Sequence, residues 1–171
     1  MTILELLKGN KSGSDGTGSS LIRIVENALK KDDWSYEHDH EDPRILRTGV
    51  KGKNTSLRGT FMVVEEKRII HFYVHLSVNV IENKRLETME YITRANYGLQ
   101  IGNFEMDLRD GEIRFKVSID VEAGTLSTVM VRNMMSAGFC TVDRYFPGLM
   151  SVIFGNAVPA QAIEEIEAKQ S

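Results

Sequence analysis

Ile69-Ile-His-Phe-Tyr-Val-His-Leu-Ser-Val-Asn-Val80 is the stretch that decides the fold. Ile70, Phe72, Val74, Leu76, Val78 and Val80 share one parity, and His71, Tyr73, His75 and Ser77 share the other. Successive side chains of a strand point to opposite faces, so this segment reads as a strand with one buried face and one wet face. Such strands belong in an antiparallel sheet that is open to water on one side. Working upstream, Leu57, Phe61 and Val63 alternate with Arg58, Thr60, Met62 and Val64, a mostly buried strand, and Glu65-Glu-Lys-Arg68 turns between the two. Trp34 to Arg47 is a mixed polar stretch with weaker strand character, punctuated by Gly49 and Gly52. Before it, Leu21, Ile24, Val25, Ala28 and Leu29 recur at helical spacing behind Ser20, an N-cap residue type. Lys30 and Lys31 fall in the last turn of that helix, where cations favour the dipole.

Downstream, Asn83 opens a second helix, with Leu86, Met89, Ile92 (or Thr93), Asn96 and Tyr97 on its apolar side and Gly98 at the stop. Arg109-Asp-Gly-Glu112 is a hairpin signal. Its outgoing strand alternates Ile113, Phe115, Val117 and Ile119. The incoming one changes parity between Ile101 and Phe104, which predicts a bulge at Gly102-Asn103. A long helix follows from Leu126 to Phe146. One of its stripes is Leu126, Val129, Met130, Met134 and Ala137, and a second is Val131, Met135 and Val142. Pro147 either interrupts this helix or begins the next piece at its first position, and Pro159 begins a short final helix to Ala168. The expected architecture is α+β, in the order α-β-β-β-α-β-β-α-α. One antiparallel sheet of about five strands has helices packed on one face.

The chain has 171 residues with 21 basic and 24 acidic side chains, a net charge of −3, 42% hydrophobic residues and one cysteine. That length suits one domain and a self-sufficient core. The composition excludes collagen, coiled coil and wholesale disorder. A lone Cys140 forms no internal disulfide, and with no span of ~20 apolar residues and no basic leader the cytoplasm is the expected location. Residues 9 to 20 hold four glycines, four serines and no apolar side chain, so residues 1–20 read as a flexible tail ahead of a single domain over 21–171. Whether the apolar Met1–Leu7 docks on that domain is left open.

Arg94-Ala-Asn-Tyr-Gly-Leu-Gln-Ile-Gly-Asn-Phe-Glu-Met-Asp107, followed by Asp110-Gly-Glu-Ile-Arg-Phe115, resembles the central motif of the YbjN-domain family of bacterial sensory-transduction regulators. Tyr145-Phe-Pro147 with Gly155, Pro159 and Ala162-Ile163 is similar to the family's closing segment. The element order likewise resembles the class I type III secretion chaperone fold. The resemblance covers Leu21 to Ala168 and implies a regulatory or chaperone-like α+β domain, often dimeric, with no catalytic residues to carry over. The motif's own residues read as architecture. Asn96 can bond a carbonyl near a helix end, and Phe104 and Phe115 can pack across the hairpin.

Candidate chemistry is sparse. His38 and His40, in Glu37-His-Asp-His-Glu-Asp42, are the nearest approach to a metal site, since residues two apart on a strand lie roughly 6.6 Å apart on one face. They lack a third ligand, and the bland alternative is a solvated acidic strand. Histidine among carboxylates could also titrate as a pH sensor. Asp32–Asp42 carries six acids and no base, whereas the segment 43–64 carries Arg44, Arg47, Lys51, Lys53 and Arg58 and no acid. Antiparallel pairing of the two would set opposite charges face to face. The rival reading is a basic strip for nucleic acid, which few aromatic residues support. Glu105 and Asp107 could form a carboxylate pair, with nothing near to raise a pKa. Cys140, among apolar neighbours, reads as a structural thiol. No phosphate-loop, dinucleotide, metalloprotease or nucleophile-elbow motif is present, so neither cofactor nor enzyme is expected. Met130, Met134, Met135 and Val131 form a stripe wider than one sheet face requires, and are the expected contact for a second copy or a partner peptide. The expected function is non-enzymatic binding of another polypeptide by a homodimer. An apolar segment would be buried against the helix–sheet surface, or a strand added to a sheet edge.

Overall fold

A computed structural model describes residues 2, 20–122 and 124–168. Apart from Thr2 and Ser20, the tail expected over 1–20 lies outside the described residues. Thr2 makes one parallel bridge to Lys51. The elements are α1 (Leu21–Lys31), β1 (Tyr36–His38), β2 (Ile45–Lys51), β3 (Ser56–Val64), β4 (Ile69–Asn79), α2 (Arg85–Asn96), β5 (Asn103–Met106), β6 (Glu112–Asp120), α3 (Thr128–Gly155) and α4 (Pro159–Ala168). The six strands form one antiparallel sheet in the order β1-β2-β3-β4-β6-β5. Leu46, Phe61, Phe72, Val74 and Phe115 bury one face, on which α3 lies across β3, β4 and β6. Arg47, Arg58, His71 and Lys116 stand on the other, uncovered face.

The sheet has six strands rather than five because the acidic stretch turns. Asp39 Oδ1 accepts the amides of Glu41 and Asp42, each at 2.9 Å, which splits Trp34–Arg47 into β1 and the start of β2. Gly49 then lies inside β2 and not at its boundary. The charge segregation pairs as expected: Glu37 stands opposite Arg47 in the ladder, Arg47 salt-bridges Asp39, and Arg44 Nη2 sits 2.7 Å from Asp42.

Ser20 precedes α1 but does not cap it with its own side chain. Its hydroxyl donates to Glu65 Oε1 at 2.5 Å, and the same oxygen accepts the Ile22 amide at 3.1 Å, so a carboxylate from the β3–β4 turn occupies the helix start. Ser127 does cap α3, accepting the Met130 amide at 3.2 Å.

The bulge expected at Gly102-Asn103 is not there. Leu99–Ile101 is not strand. Gly102, at φ +78, is a bend into β5, and a Cβ there would lie 2.4 Å from the Phe115 ring. Asn96 fixes this entry by accepting the Phe104 amide at 2.7 Å and donating to the Phe104 carbonyl at 3.0 Å. The Phe104 and Phe115 rings meet edge-on at 4.9 Å.

Two helix faces differ from expectation. In α2 the buried residues are Thr88, Tyr91, Ile92 and Ala95, while Leu86 and Tyr97 are exposed. The face turns inward through Tyr91, whose hydroxyl donates to the Tyr145 carbonyl at 2.8 Å. α3 runs unbroken through Pro147 and buries Val131, Met134, Met135, Phe139, Val142, Leu149 and Val152, leaving Val129 outside. A proline in a helix removes one amide and orphans the carbonyl four residues back. That carbonyl belongs to Asp143, and Asn54 Nδ2 donates to it at 2.8 Å.

Candidate functional site

The continuation of α3 through Pro147 exposes a stripe that spans the proline. Phe146, Met150 and Phe154 recur every four residues and share one helix face. With Leu57, Leu76 and Val78 they line a concavity of about 260 Å³. Phe146 and Met150 are half-buried, and Phe154 is 69% exposed.

This concavity lies at the end of the β3–β4 ladder. The β3–β4 ladder ends at Arg58 opposite His75, although β3 begins at Ser56 and β4 runs on to Asn79. Between His75 and Asn79 the register against β6 shifts: Leu76, Ser77 and Val78 occupy the interval that Ile113 alone fills between Arg114 and Glu112. Extra residues in one strand bend it and increase its local twist. Ser56–Leu57 of β3 and Leu76–Val78 of β4 border this slot, and the second half of α3 walls it on one side.

The other wall is fixed by the turn between β2 and β3. Asp143 on α3 is 6% exposed, and its carboxylate accepts the amides of Lys53, Asn54 and Thr55 at 3.0, 2.9 and 3.2 Å. Gly52 makes the approach possible, because a Cβ there would lie 2.0 Å from Asp143 Oδ1. Lys51, at the end of β2, and Lys53, in this turn, are exposed, and Arg58 Nη2 reaches Ser77 Oγ at 3.4 Å.

The uncovered sheet face offers a different surface. Arg114 stacks 4.4 Å above the Tyr73 ring and salt-bridges Glu105, and His71 Nδ1 lies 2.7 Å from Ser118 Oγ. Burial, with help from Lys116, lowers the His71 pKa, and burial raises that of the Tyr73 phenol. A shallow concavity of about 830 Å³ over β2–β4 is bordered by Arg47, Gly49, Arg58, Thr60, His75 and Glu112. Another, of about 520 Å³ at the β5–β6 turn, is bordered by Glu105, Asp107, Arg109 and Arg114. In the latter, Glu105 is taken by Arg114 and Asp107 by Arg109, so the two carboxylates do not act as a pair. Hydrogen bonds from the Arg109 side chain and amide hold the Asp107 pKa down to about 2. Arg44 does the same for Asp42.

The residues singled out from sequence are dispersed. His38 Nε2 lies 3.0 Å from Glu26 Oε1 on α1, whereas His40 sits in the turn beyond β1, so the two share no strand face. Among the described residues no group of three or more His, Cys, Asp or Glu could hold a metal ion. Val131, Met134 and Met135 are buried within the single chain, and Met130 is half-buried against the same core. Of the four, Met130 alone keeps partial exposure, and the other three pack within the chain's own core. Cys140 is half-buried, and burial raises its thiol pKa. Sequence reading misses the stripe of Phe146, Met150 and Phe154, because a proline reads as the end of a periodic run. The four-residue spacing across Pro147 is the signal that could have found it.

Comparison with known proteins agrees with this architecture. A crystal structure titled "Crystal structure of YbjN, a putative transcription regulator from E. coli" is similar in fold, with a TM-score of 0.55 at 11% identity over 79% of this chain and 90% of that one. No curated protein sequence matches. A family model, YbjN, described as "Putative bacterial sensory transduction regulator", matches residues 22–150. That span takes in all six strands, α2 and most of α1 and α3, and by it the chain belongs to the YbjN family.

Proposed function

We propose that this chain is a regulator that acts in the cytoplasm by binding another polypeptide, as a homodimer, without turning over a substrate. The observation that carries this reading is the apolar slot of Phe146, Met150, Phe154, Leu57, Leu76 and Val78, beside which Phe154 stands exposed. Contiguous apolar surface with a polar border suits a docking site, whereas single exposed apolar residues need no explanation. The family's description as a regulator supports the non-catalytic side of the reading. So does the polar surface, where the carboxylates with resolved shifts are all lowered by their partners and none is poised as an acid near neutrality. The nucleic-acid alternative is weakened at Arg44 and Arg47, whose charges are met by Asp42 and Asp39. No helix of the described residues is long and apolar enough to cross a membrane.

The test retains native cell extract on immobilised full-length chain and washes at low and high salt. A polypeptide held at stoichiometric amounts through the high-salt wash supports apolar docking. Retention of nucleic acid that falls steeply with salt would replace this reading with the charge-driven one. Light scattering of the purified chain checks the dimer. A monomer at every concentration would remove that part.

A further inference from the structure

The outer edge of β2 is only partly used by β1. β1 meets it at Leu46, Arg47 and Thr48, whereas β3 pairs with the opposite edge from Ile45 to Lys51. Past Thr48, the one further bridge to β2 among the described residues is that of Thr2, which pairs in parallel with Lys51. An open strand edge is a template for an added extended segment. The parallel sense sets the direction of this one: from Thr2 the chain runs as β2 runs, beyond Lys51 and toward the turn into β3.

The apolar slot lies at that same end of the sheet. Lys51 is the ladder partner of Ser56, and Thr55, Ser56 and Leu57 line the slot. Two strand spacings, about 10 Å, therefore separate Thr2 from its rim. The residues that follow Thr2 are Ile3, Leu4, Glu5, Leu6 and Leu7, four of them apolar. Five extended residues reach ~17 Å, enough to carry Leu6 and Leu7 over the rim to Phe146, Met150 and Phe154. No carboxylate lines the slot, and its walls match a segment of this composition.

Chain length allows the return to α1. Ser20 is held by Glu65 at the far end of β3. That strand spans roughly 30 Å, and residues 8 to 19 reach ~40 Å when extended. Residues 8 to 19 carry no apolar side chain, so none of them competes for the slot.

We infer that the chain's own segment from Ile3 to Leu7 occupies the slot of Phe146, Met150 and Phe154, pinned by the bridge between Thr2 and Lys51, and that a polypeptide partner has to displace it. The tether makes the segment an internal competitor at an effective concentration in the millimolar range, which lowers the apparent affinity for every partner and rejects weak ones. Displacement deepens the polypeptide-binding reading above and rests on it, whereas the docking of the segment stands without a partner.

The test is photo-crosslinking of the purified full chain with a benzophenone side chain in place of Phe154, followed by mapping of the joined peptides by mass spectrometry. The adduct joins position 154 to residues 3–7, has the mass of one chain and forms in unchanged yield on dilution. An adduct between two chains, an adduct to another segment, or none would overturn the assignment. Leu6→Asp with Leu7→Asp abolishes the adduct. In the chain that keeps Phe154, the same pair raises the fluorescence of anilinonaphthalene sulfonate, which binds uncovered apolar surface, about twofold or more. Adding Phe154→Ser, at an exposed position, removes that rise, and melting temperatures measured alongside show that the domain stays folded. A dye signal that the pair leaves unchanged, or a rise that Phe154→Ser leaves intact, would also overturn the docking. From native extract the Leu6→Asp, Leu7→Asp chain retains about threefold more polypeptide than wild type. Equal retention by the two would overturn the displacement. If the adduct forms and neither chain retains a polypeptide, the segment docks and the partner reading fails. If wild type retains a polypeptide and no adduct forms, the partner reading stands and the segment is not its competitor.

Discussion

The side-chain amide of Asn54 donates at 2.8 Å to the main-chain carbonyl of Asp143, the acceptor that Pro147 orphans by lacking an N–H. A turn between two strands thereby mends the helix that packs over the sheet. α3 can then continue to Gly155 and carry Phe146, Met150 and Phe154 on one face.

The Asn54–Asp143 bond predicts a specific coupling. Asn54→Ala leaves the Asp143 carbonyl without a donor and costs about 1–2 kcal/mol in urea unfolding. Pro147→Ala restores the helical amide and recovers most of that loss in the double variant, with a coupling of roughly 1 kcal/mol. Additive losses would show that Asn54 acts on something other than the proline gap.

Gly52 carries a second prediction at the same junction. A methyl group 2.0 Å from Asp143 Oδ1 displaces the carboxylate from the three amides that it accepts. Gly52→Ala therefore destabilises by roughly 2 kcal/mol or more. The Gly98→Ala substitution, where no atom lies within 4 Å, tests φ strain alone and serves as the comparison. Equal losses at the two positions in urea unfolding would show that the contact with Asp143 is not what Gly52 protects.

Much of this fold is legible as periodicity. β4, β6 and α1 each carry a strict apolar repeat with punctuation at both ends, and the structure places them accordingly. The features that escape are those set by contacts remote in sequence. Asn54 and Asp143 are 89 residues apart, and without that bond Pro147 reads as a helix break. Tyr91 and Thr88 carry the buried face of α2 through polar side chains, so an apolar count rotates the helix toward Leu86. The slot escapes because it needs α3 beyond Pro147 and a bulge at Leu76–Val78 that the alternation of β4 conceals.

Acid sensitivity follows from Glu65. Its burial opposes ionisation, but hydrogen bonds from Ser20 and from the Ile22 and Leu21 amides, together with Arg68, outweigh it and hold the carboxyl below its ordinary value. A lowered folded pKa stabilises fully above the ordinary carboxylate range, and that stability is lost as pH falls through the folded value. Glu65→Ala costs about 1 kcal/mol at pH 7, as loss of a helix cap does, and the gap to wild type narrows in acid. Thermal melts of both proteins across the acid range check this; a gap that is constant with pH would contradict it.

The alkaline edge belongs to Tyr91. Burial, reinforced by Tyr145 and Glu167, raises its phenol pKa. A raised folded pKa stabilises below the ordinary phenol value, and the contribution is lost as pH rises through the folded one. Tyr91→Phe loses the bond to the Tyr145 carbonyl, about 1 kcal/mol at neutral pH, and is less sensitive to alkali than wild type. Stability curves that run parallel up to high pH would rule this out.

Docking of a polypeptide beside the second half of α3 is tested most directly by site-specific photo-crosslinking in native cell extract. A benzophenone side chain replaces Phe154 in one version of the full chain and Lys116, on the uncovered sheet face, in another. A discrete polypeptide adduct forms from position 154, and none forms from position 116. An adduct from position 116 alone, or from neither position, would mean that the slot is not where the partner binds.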